Sequence, residues 1–451
     1  MKQRFLKTTT ALFVSLLLAV AAFAQQTVTP ATALKSYLNN GDTSFHYELK
    51  DSFNIKDVKC YSILLTSQQW REYTWTHQLA IFVPANVSYD GALLFITGGS
   101  VKNGLPNWNG PTDELYQQIA AMATTNKAIT AVLRQTPNQP LFKNLTEDAL
   151  ISYTLHQFKE DGDYTWPLLF PMVKSAVRAM DAVQSFSKER LSQNVQRFVV
   201  SGASKRGWTT WLTGANDNRV AAIAPMVIDV LNMPVSLDYQ IKTWKEYSIQ
   251  IEDYVKLGIP QAAHTEGGQA INTMIDPYAY RQLLTMPKMI FMGTNDEYWV
   301  VDNIKNYLDS IPGKNMLNYT PNAGHNLGDK KHAFEGLSAF FGTTLSQQPY
   351  PACSWTTSTR RGNVKLTAKA TADQLVDVIL WTANSTDLDF RNEKWSSQSL
   401  GQAHQSTVKV ITPLPASGYR AFYVDLQYMN PTGGTYTIST RVFVTDTKKI
   451  L

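Results

Sequence analysis

The stretch Val199–Leu212, VVSGASKRGWTTWL, decides how the rest of the chain is read. Val199 and Val200 are β-branched and apolar, Gly202 and Ala203 are small, and a tryptophan-bearing helix pattern starts at Lys205. A serine at such a strand-to-helix turn projects its oxygen clear of the sheet, beside a free backbone N–H and the positive end of a helix. Ser204 stands at that point. Two features are unusual: Arg206 holds the place of the second glycine of G-x-S-x-G, and both Lys205 and Arg206 are cations in a first helical turn. There the unpaired N–H groups and the macrodipole disfavour positive charge by about 0.3 kcal/mol or more each. A structural carboxylate or an anionic group of a substrate has to offset that cost.

Working outward, short strand-like runs separated by polar turns fill Phe45 to Val83 and read as an antiparallel opening. GALLFITGGS then reads as a buried strand ending in glycines. TDELYQQIAAMATTN reads as a helix capped by Thr112, AITAVLRQTP as a second buried strand, and Glu147 to Arg190 as a helical region broken by YTWPLLFP. After the opening stretch, VAAIAPMVID, PKMIFMGTND and NMLNYTPNAGHN continue as strands. Helices are expected near 302–309 and from Lys331. Continuous apolar strands alternating with helices imply an α/β fold with a mostly parallel sheet covered on both faces. Residues from about 231 to 280, rich in Trp and Tyr with amphipathic spacing, interrupt the alternation where a helical lid would be inserted. From about 350 to 451 only short alternating strands remain, which read as a small β-sandwich. The expected organisation is therefore 25–349 and 350–451, preceded by a leader.

Two downstream strands end in the residues a serine nucleophile needs. PKMIFMG leads into Asp296, and NYTPNAGHN ends in His325, so the chain order serine, acid, histidine is that of the α/β-hydrolase triad. In that arrangement His325 takes the proton of Ser204, and Asp296 orients the imidazole. Asp229, at the end of the preceding strand, is an alternative acid, and Glu297 is another. His332 reads as a packing or surface residue, and His46, His77, His156, His264 and His404 lack a strand-end glycine. Backbone N–H groups of Lys205 and of Gly99 or Ser100 are the candidate oxyanion donors. Arg206, Trp208 and Trp299 are candidates for substrate contact, Arg206 also for a structural ion pair, and Trp211 and Trp244 for the pocket wall.

The 451 residues are 44% hydrophobic and 17% charged, enough for a large core. Lys2, Arg4 and Lys7 precede a short apolar run and an Ala22-Phe23-Ala24 ending, the pattern of a secretory signal cut after Ala24; no cysteine follows for lipidation. Without those three cations, 38 Lys and Arg face 36 Asp and Glu, so nucleic-acid binding has no electrostatic basis. No later run is long enough to span a bilayer. Cys60 and Cys353 form a bridge or remain buried thiols, since their separation in space is not readable. No metal-ligand spacing or cofactor motif is present. The expectation is an exported serine hydrolase acting on a small-molecule, peptide or glycan ester, in the periplasm or outside the cell. Its rival is a secreted binding or signalling protein on the same scaffold.

SGASKRGWTTWLTGANDNRVAAIAPMVIDVLNM, DPYAYRQLLTMPKMIFMGTNDEYW and PNAGHNL together resemble the PhoPQ-activated pathogenicity-related protein family, closely from about residue 30 to 345 and loosely beyond. The resemblance implies an α/β-hydrolase group that bacteria export, with links to virulence and antimicrobial-peptide resistance in some members. It extends to secreted eukaryotic relatives with a growth-regulating role. It also implies the same three positions, Ser204, Asp296 and His325. The elbow alone is similar to that of glucuronoyl esterases, in which the basic residue after the serine, here Lys205, helps to bind the oxyanion.

Overall fold

Leu93 and Leu94 face opposite sides of the central sheet, as do Val199 and Val200, and all four are buried. This explains the unbroken apolar runs: each strand must present hydrocarbon to a layer above and a layer below. The computed structural model describes residues 27–451; the expected leader lies outside the described residues.

In chain order the first strands are β1 (His46–Ile55), β2 (Val58–Trp70), β3 (Tyr73–Val83), β4 (Gly91–Ile96), the small hairpin β5 (Val101–Lys102) and β6 (Leu105–Pro106), and β7 (Ile129–Leu133). They are followed by β8 (Arg197–Ala203), β9 (Val220–Met226), β10 (Lys288–Gly293) and β11 (Asn315–Thr320). The helices are α1 (Ala33–Leu38), α2 (Glu114–Asn126), α3 (Glu147–Asp161), α4 (Leu169–Leu191), α5 (Lys205–Asn216), α6 (Met233–Trp244), α7 (Glu252–Lys256), α8 (Glu266–Ile275) and α9 (Lys331–Ser346). The tail adds β12 (Ser354–Arg360), β13 (Asn363–Lys369), β14 (Leu375–Ser385), β15 (Ser396–Ser399), β16 (Thr407–Pro413), β17 (Tyr419–Met429), β18 (Thr435–Ser439) and β19 (Phe443–Thr445).

Strands β7, β4, β8, β9, β10 and β11 lie side by side and parallel. The rest of the 14-stranded sheet is antiparallel: β1, β2 and β3 flank β7, and β18, β17, β14 and β15 continue beyond β11. The sheet is thus mixed, not mostly parallel as expected. The reason is edge coverage: an open edge leaves a row of N–H and C=O groups unpaired, and both edges of the parallel centre are taken by antiparallel strands.

The tail is correspondingly not a free-standing sandwich. Its β14, β15, β17 and β18 belong to the main sheet, and only β12, β13 and β16 form a separate three-stranded sheet. Leu317 pairs with Ser439, Asn318 donates to the Thr437 carbonyl at 3.0 Å, and the Tyr319 N–H donates to the Ser439 hydroxyl at 3.1 Å. Leu366 and Val410 of the small sheet share one apolar cluster with Leu426 of β17 and with Phe340 and Phe341 of α9.

Between β9 and β10 the chain leaves the sheet through α6, α7 and α8, the helical insertion expected at 231–280. Asp276 ties its two ends together. One carboxylate oxygen accepts from the Asn232 and Tyr278 N–H groups at 3.3 and 2.9 Å, the other from Met233 at 2.7 Å. Burial raises this carboxyl to about 7 despite those bonds. Locally, Asp113 rather than Thr112 caps α2, accepting the Tyr116 N–H at 3.0 Å. The helix expected near 302–309 consists of two short 3₁₀ turns, Asn303–Asn306 and Leu308–Ser310. Cys60 and Cys353 are both free thiols. No helix of the described residues is long and apolar enough to cross a membrane, and no three His, Cys, Asp or Glu side chains among them gather as metal ligands.

Candidate active site

The turn after β8 is strained at its serine. Ser204 has φ 58° and ψ −125°, a conformation that costs a non-glycine residue about 1–3 kcal/mol and is kept only where surroundings enforce it. Two bonds enforce it here: the Ser204 N–H donates to the Met226 carbonyl at 2.9 Å, and its carbonyl accepts from the Trp208 N–H at 2.9 Å. Glycines permit the crowding. A Cβ on Gly202 would stand 2.9 Å from the Ile96 carbonyl oxygen, and one on Gly207 2.6 Å from that of Met226. Gly207 therefore carries the close helix-to-strand approach, one position after the second glycine of the usual spacing.

His325 and Asp296 come to the same point from the ends of β11 and β10. The Ser204 hydroxyl lies 2.8 Å from His325 Nε2, and His325 Nδ1 lies 3.0 and 2.9 Å from the two oxygens of Asp296. Asp296 is 7% exposed, and the Tyr298 N–H donates to it at 2.8 Å. Burial raises its carboxyl above the ordinary carboxylate range, against the opposing charge and hydrogen bonding of His325. The Tyr298 ring stacks on the imidazole with centroids 4.0 Å apart, and the Glu297 carboxylate accepts the His325 backbone N–H at 2.8 Å. The neighbouring Asn295 is pinned by the tail, donating to the carbonyls of Phe390, Arg391 and Glu393 at 3.2, 3.1 and 2.7 Å.

The alternative acid is engaged elsewhere. Asp229 is buried and accepts the Tyr307 hydroxyl at 2.7 Å, and burial together with the nearby Asp296 charge raises it to about 7. Glu297 holds the backbone of His325, not its ring.

The two cations of the elbow meet the first turn of α3. Arg206 donates to both oxygens of Glu147 at 2.8 and 2.7 Å and to the Thr136 carbonyl at 2.5 Å. Lys205 Nζ lies 2.7 Å from Asp148 and 3.6 Å from Glu147. Gln139 donates to Glu147 at 2.6 Å and to the Gly99 carbonyl at 3.3 Å, linking the cluster to the glycine loop. Burial alone would raise the Glu147 carboxyl, but Arg206, with Gln139 and Lys205 behind it, outweighs burial and lowers it to about 2. Arg206 is 9% exposed, is engaged by Glu147 and Thr136, and is not in the pocket wall, which fits the structural ion pair that was its other expected role.

A pocket of about 720 Å³, its open mouth included, lies beside Ser204 and Lys205. Trp208 and Trp299 both line it; their indole N–H groups donate to the carbonyls of Ile275 at 2.6 Å and Val227 at 3.4 Å. Trp211 and Trp244 are not in the wall. The backbone N–H groups of Gly99, Ser100 and Lys205 donate to no protein acceptor among the described residues.

Sequence reasoning missed Glu147, Asp148, Tyr254 and Tyr298. Acidic residues are favoured in a first helical turn on their own account, which hides any further role of Glu147 and Asp148. Tyr254 of α7 reaches Asp148 at 3.0 Å; nothing in the local pattern links these positions.

The family of PhoPQ-activated pathogenicity-related proteins matches residues 34–391, and the chain belongs to that family. Over 433 residues it is 29% identical to autocrine proliferation repressor protein A of Dictyostelium discoideum, covering 88% of this chain and 86% of that one. Among solved structures, acetyl xylan esterase 1 from Thermoanaerobacterium sp. superimposes with a TM-score of 0.49 at 16% identity, covering 70% of this chain and 94% of the other. An acetyl xylan esterase from a Paenibacillus species gives 0.43 at 13% identity, covering 65% and 86%.

Proposed function

We propose that the chain is an exported serine hydrolase that cleaves an ester through Ser204, His325 and Asp296. The observation that carries this reading is the unbroken chain of contacts from the strained serine through both imidazole nitrogens to a buried carboxylate. In acylation, Ser204 Oγ bonds to the ester carbon as its proton passes to His325 Nε2. The negative charge on the former carbonyl oxygen faces the N–H groups of Lys205 and of Gly99 or Ser100. Collapse breaks the carbon–oxygen bond to the alcohol, which takes the proton from Nε2. Water then attacks the acyl-serine, gives its proton to Nε2, and the proton returns to Oγ as the acid leaves. Asp296 stays ionised, holding Nδ1–H and stabilising the imidazolium. An ester suits this site better than a peptide, because an alkoxide leaves with less help than an amine.

The test is covalent labelling. A fluorophosphonate should modify the mature protein at one residue, and Ser204→Ala should remove both label and ester hydrolysis. A label retained by the alanine variant would overturn the nucleophile. The second reading, a secreted binding or signalling protein on this scaffold, draws on the name of the Dictyostelium relative. It gains if Ser204→Ala keeps the protein's full biological effect.

A further inference from the structure

The pocket beside the serine has mostly apolar walls. Trp208, Ile228, Leu237, Ile251, Ile271 and Trp299 enclose it from α5, from the end of β9, from the helical insertion and from the Asp296 loop. Its charged members are spent on one another: Lys205 pairs with Asp148 at 2.7 Å, and the Tyr254 hydroxyl donates to the same carboxylate at 3.0 Å. Asn272, the amide in the wall, donates to the Ala263 carbonyl at 3.0 Å. A ligand group entering here therefore meets hydrocarbon and aromatic rings and no free charge. Apolar side chains from four separate parts of the chain present far more wall than the single methyl of an acetyl group can touch.

The place of the imidazole bears on which half of the ester enters. The alcohol must leave past His325 Nε2, because that nitrogen supplies its proton. The pocket wall includes Ser204, Lys205 and Tyr298, whose ring stacks on the imidazole, but not His325 itself, so the wall meets the nucleophile directly and the proton donor only through that ring. The half placed there is the acyl group.

Resting on the hydrolase reading above, we infer that this site is built for esters of uncharged, bulky apolar acids, such as medium-chain or arylalkyl acyl groups, and selects against acetyl and charged acyl groups. The cations after the nucleophile do not recruit an anionic substrate, since their carboxylate partners lie within the protein. An acyl group ending in a carboxylate or ammonium would lose its hydration in the pocket without gaining a partner.

Two ester series test this. With a constant p-nitrophenol leaving group, kcat/KM should rise about fourfold per methylene from acetyl toward octanoyl, the equivalent of about 0.8 kcal/mol each. An acyl chain of matched length ending in a carboxylate should be slower by about 100-fold or more. With the acyl group held constant, lengthening the alcohol should change kcat/KM far less. Ala263→Trp, which fills part of the cavity, should lower the octanoyl-to-acetyl ratio by about tenfold or more. Labelling of Ser204 by a fluorophosphonate with small alkyl groups reports in parallel that each protein is folded and reactive.

A flat or acetyl-preferring series on a protein that still labels at Ser204 overturns the acyl pocket and leaves the hydrolase standing. Preference governed by the alcohol overturns the assignment of the pocket to the acyl side. A wild-type protein that neither labels nor hydrolyses any ester overturns the proposed function and this inference together. Should Ala263→Trp fail to label, the wild-type series alone decides.

Discussion

Two neighbouring regions of the elbow are built in opposite ways. At Ser204 the backbone is strained, the imidazole is partly exposed, and several N–H groups point at no protein acceptor. One residue later, Lys205 and Arg206 are paired with Glu147, Asp148 and the Thr136 carbonyl. A turn proposed to react is held still by the residues beside it. Groups whose bonds must change during a reaction cannot also be the anchor, so the anchor is moved to the adjacent residues and supplied with paired charge. The carboxylates that offset the cations are themselves at the start of α3, where their charge is favoured.

Breaking the reactive half should have the largest effect. Ser204→Ala and Asp296→Asn are each expected to lower kcat/KM by about 10⁴-fold or more, with melting temperatures near that of the wild type. Ester kinetics and thermal melts check both, and a fall in stability matching the fall in activity would erase the contrast.

Breaking the anchoring half should unfold rather than inactivate. Glu147→Gln leaves the Arg206 guanidinium with a neutral partner, and Glu147 is partly exposed. The expected loss is therefore about 2 kcal/mol, below the roughly 3–5 kcal/mol of fully buried pairs. The pH dependence has a definite sign. Glu147 is lowered to about 2 from an ordinary 4.5, so its contribution is complete above about pH 5 and is lost as pH falls toward 2. Denaturation at pH 7 and pH 3 should show the wild type and Glu147→Gln converging at the lower pH.

A fourth substitution sharpens the choice between acids. Asp229 is raised to about 7 from 3.8, so the folded protein holds a proton there that the unfolded chain releases. Its effect is neutral below about pH 4 and destabilising as pH rises through 7. Asp229→Asn should raise stability at pH 8, change it little at pH 4, and keep turnover within about threefold of wild type; a large loss of turnover would favour Asp229 as the acid. The smallest effect belongs to Tyr254→Phe, which removes the hydroxyl donated to Asp148. A loss of about 1 kcal/mol in stability is expected, read by chemical denaturation.

The three positions proposed as a triad were legible as candidates because each carries its signal locally. Ser204 has small residues before it and a helix after it, and Asp296 and His325 each follow an apolar strand and a glycine. The strands of the tail were legible for the same reason, but their partners were not. Alternation identifies β18 as a strand, yet nothing within Thr435–Ser439 says that it pairs with β11, more than a hundred residues earlier. That pairing makes the tail a continuation of the main sheet, and Asn295 further binds it to the loop of Asp296. A deletion of residues 350–451 would consequently strip an edge and an anchor from the region around Asp296, so it does not isolate a separate function.

By itself, the sequence determined where the strands and helices lie, which serine stands at the strained turn, and the order in which acid and histidine follow, because each depends on residues a few positions apart. Tertiary structure decided which carboxylates answer Lys205 and Arg206, which edge the tail covers, and that the space beside the nucleophile is apolar. Those outcomes depend on contacts between distant segments, and burial and charge pairing have no value for a side chain until its neighbours in space are known.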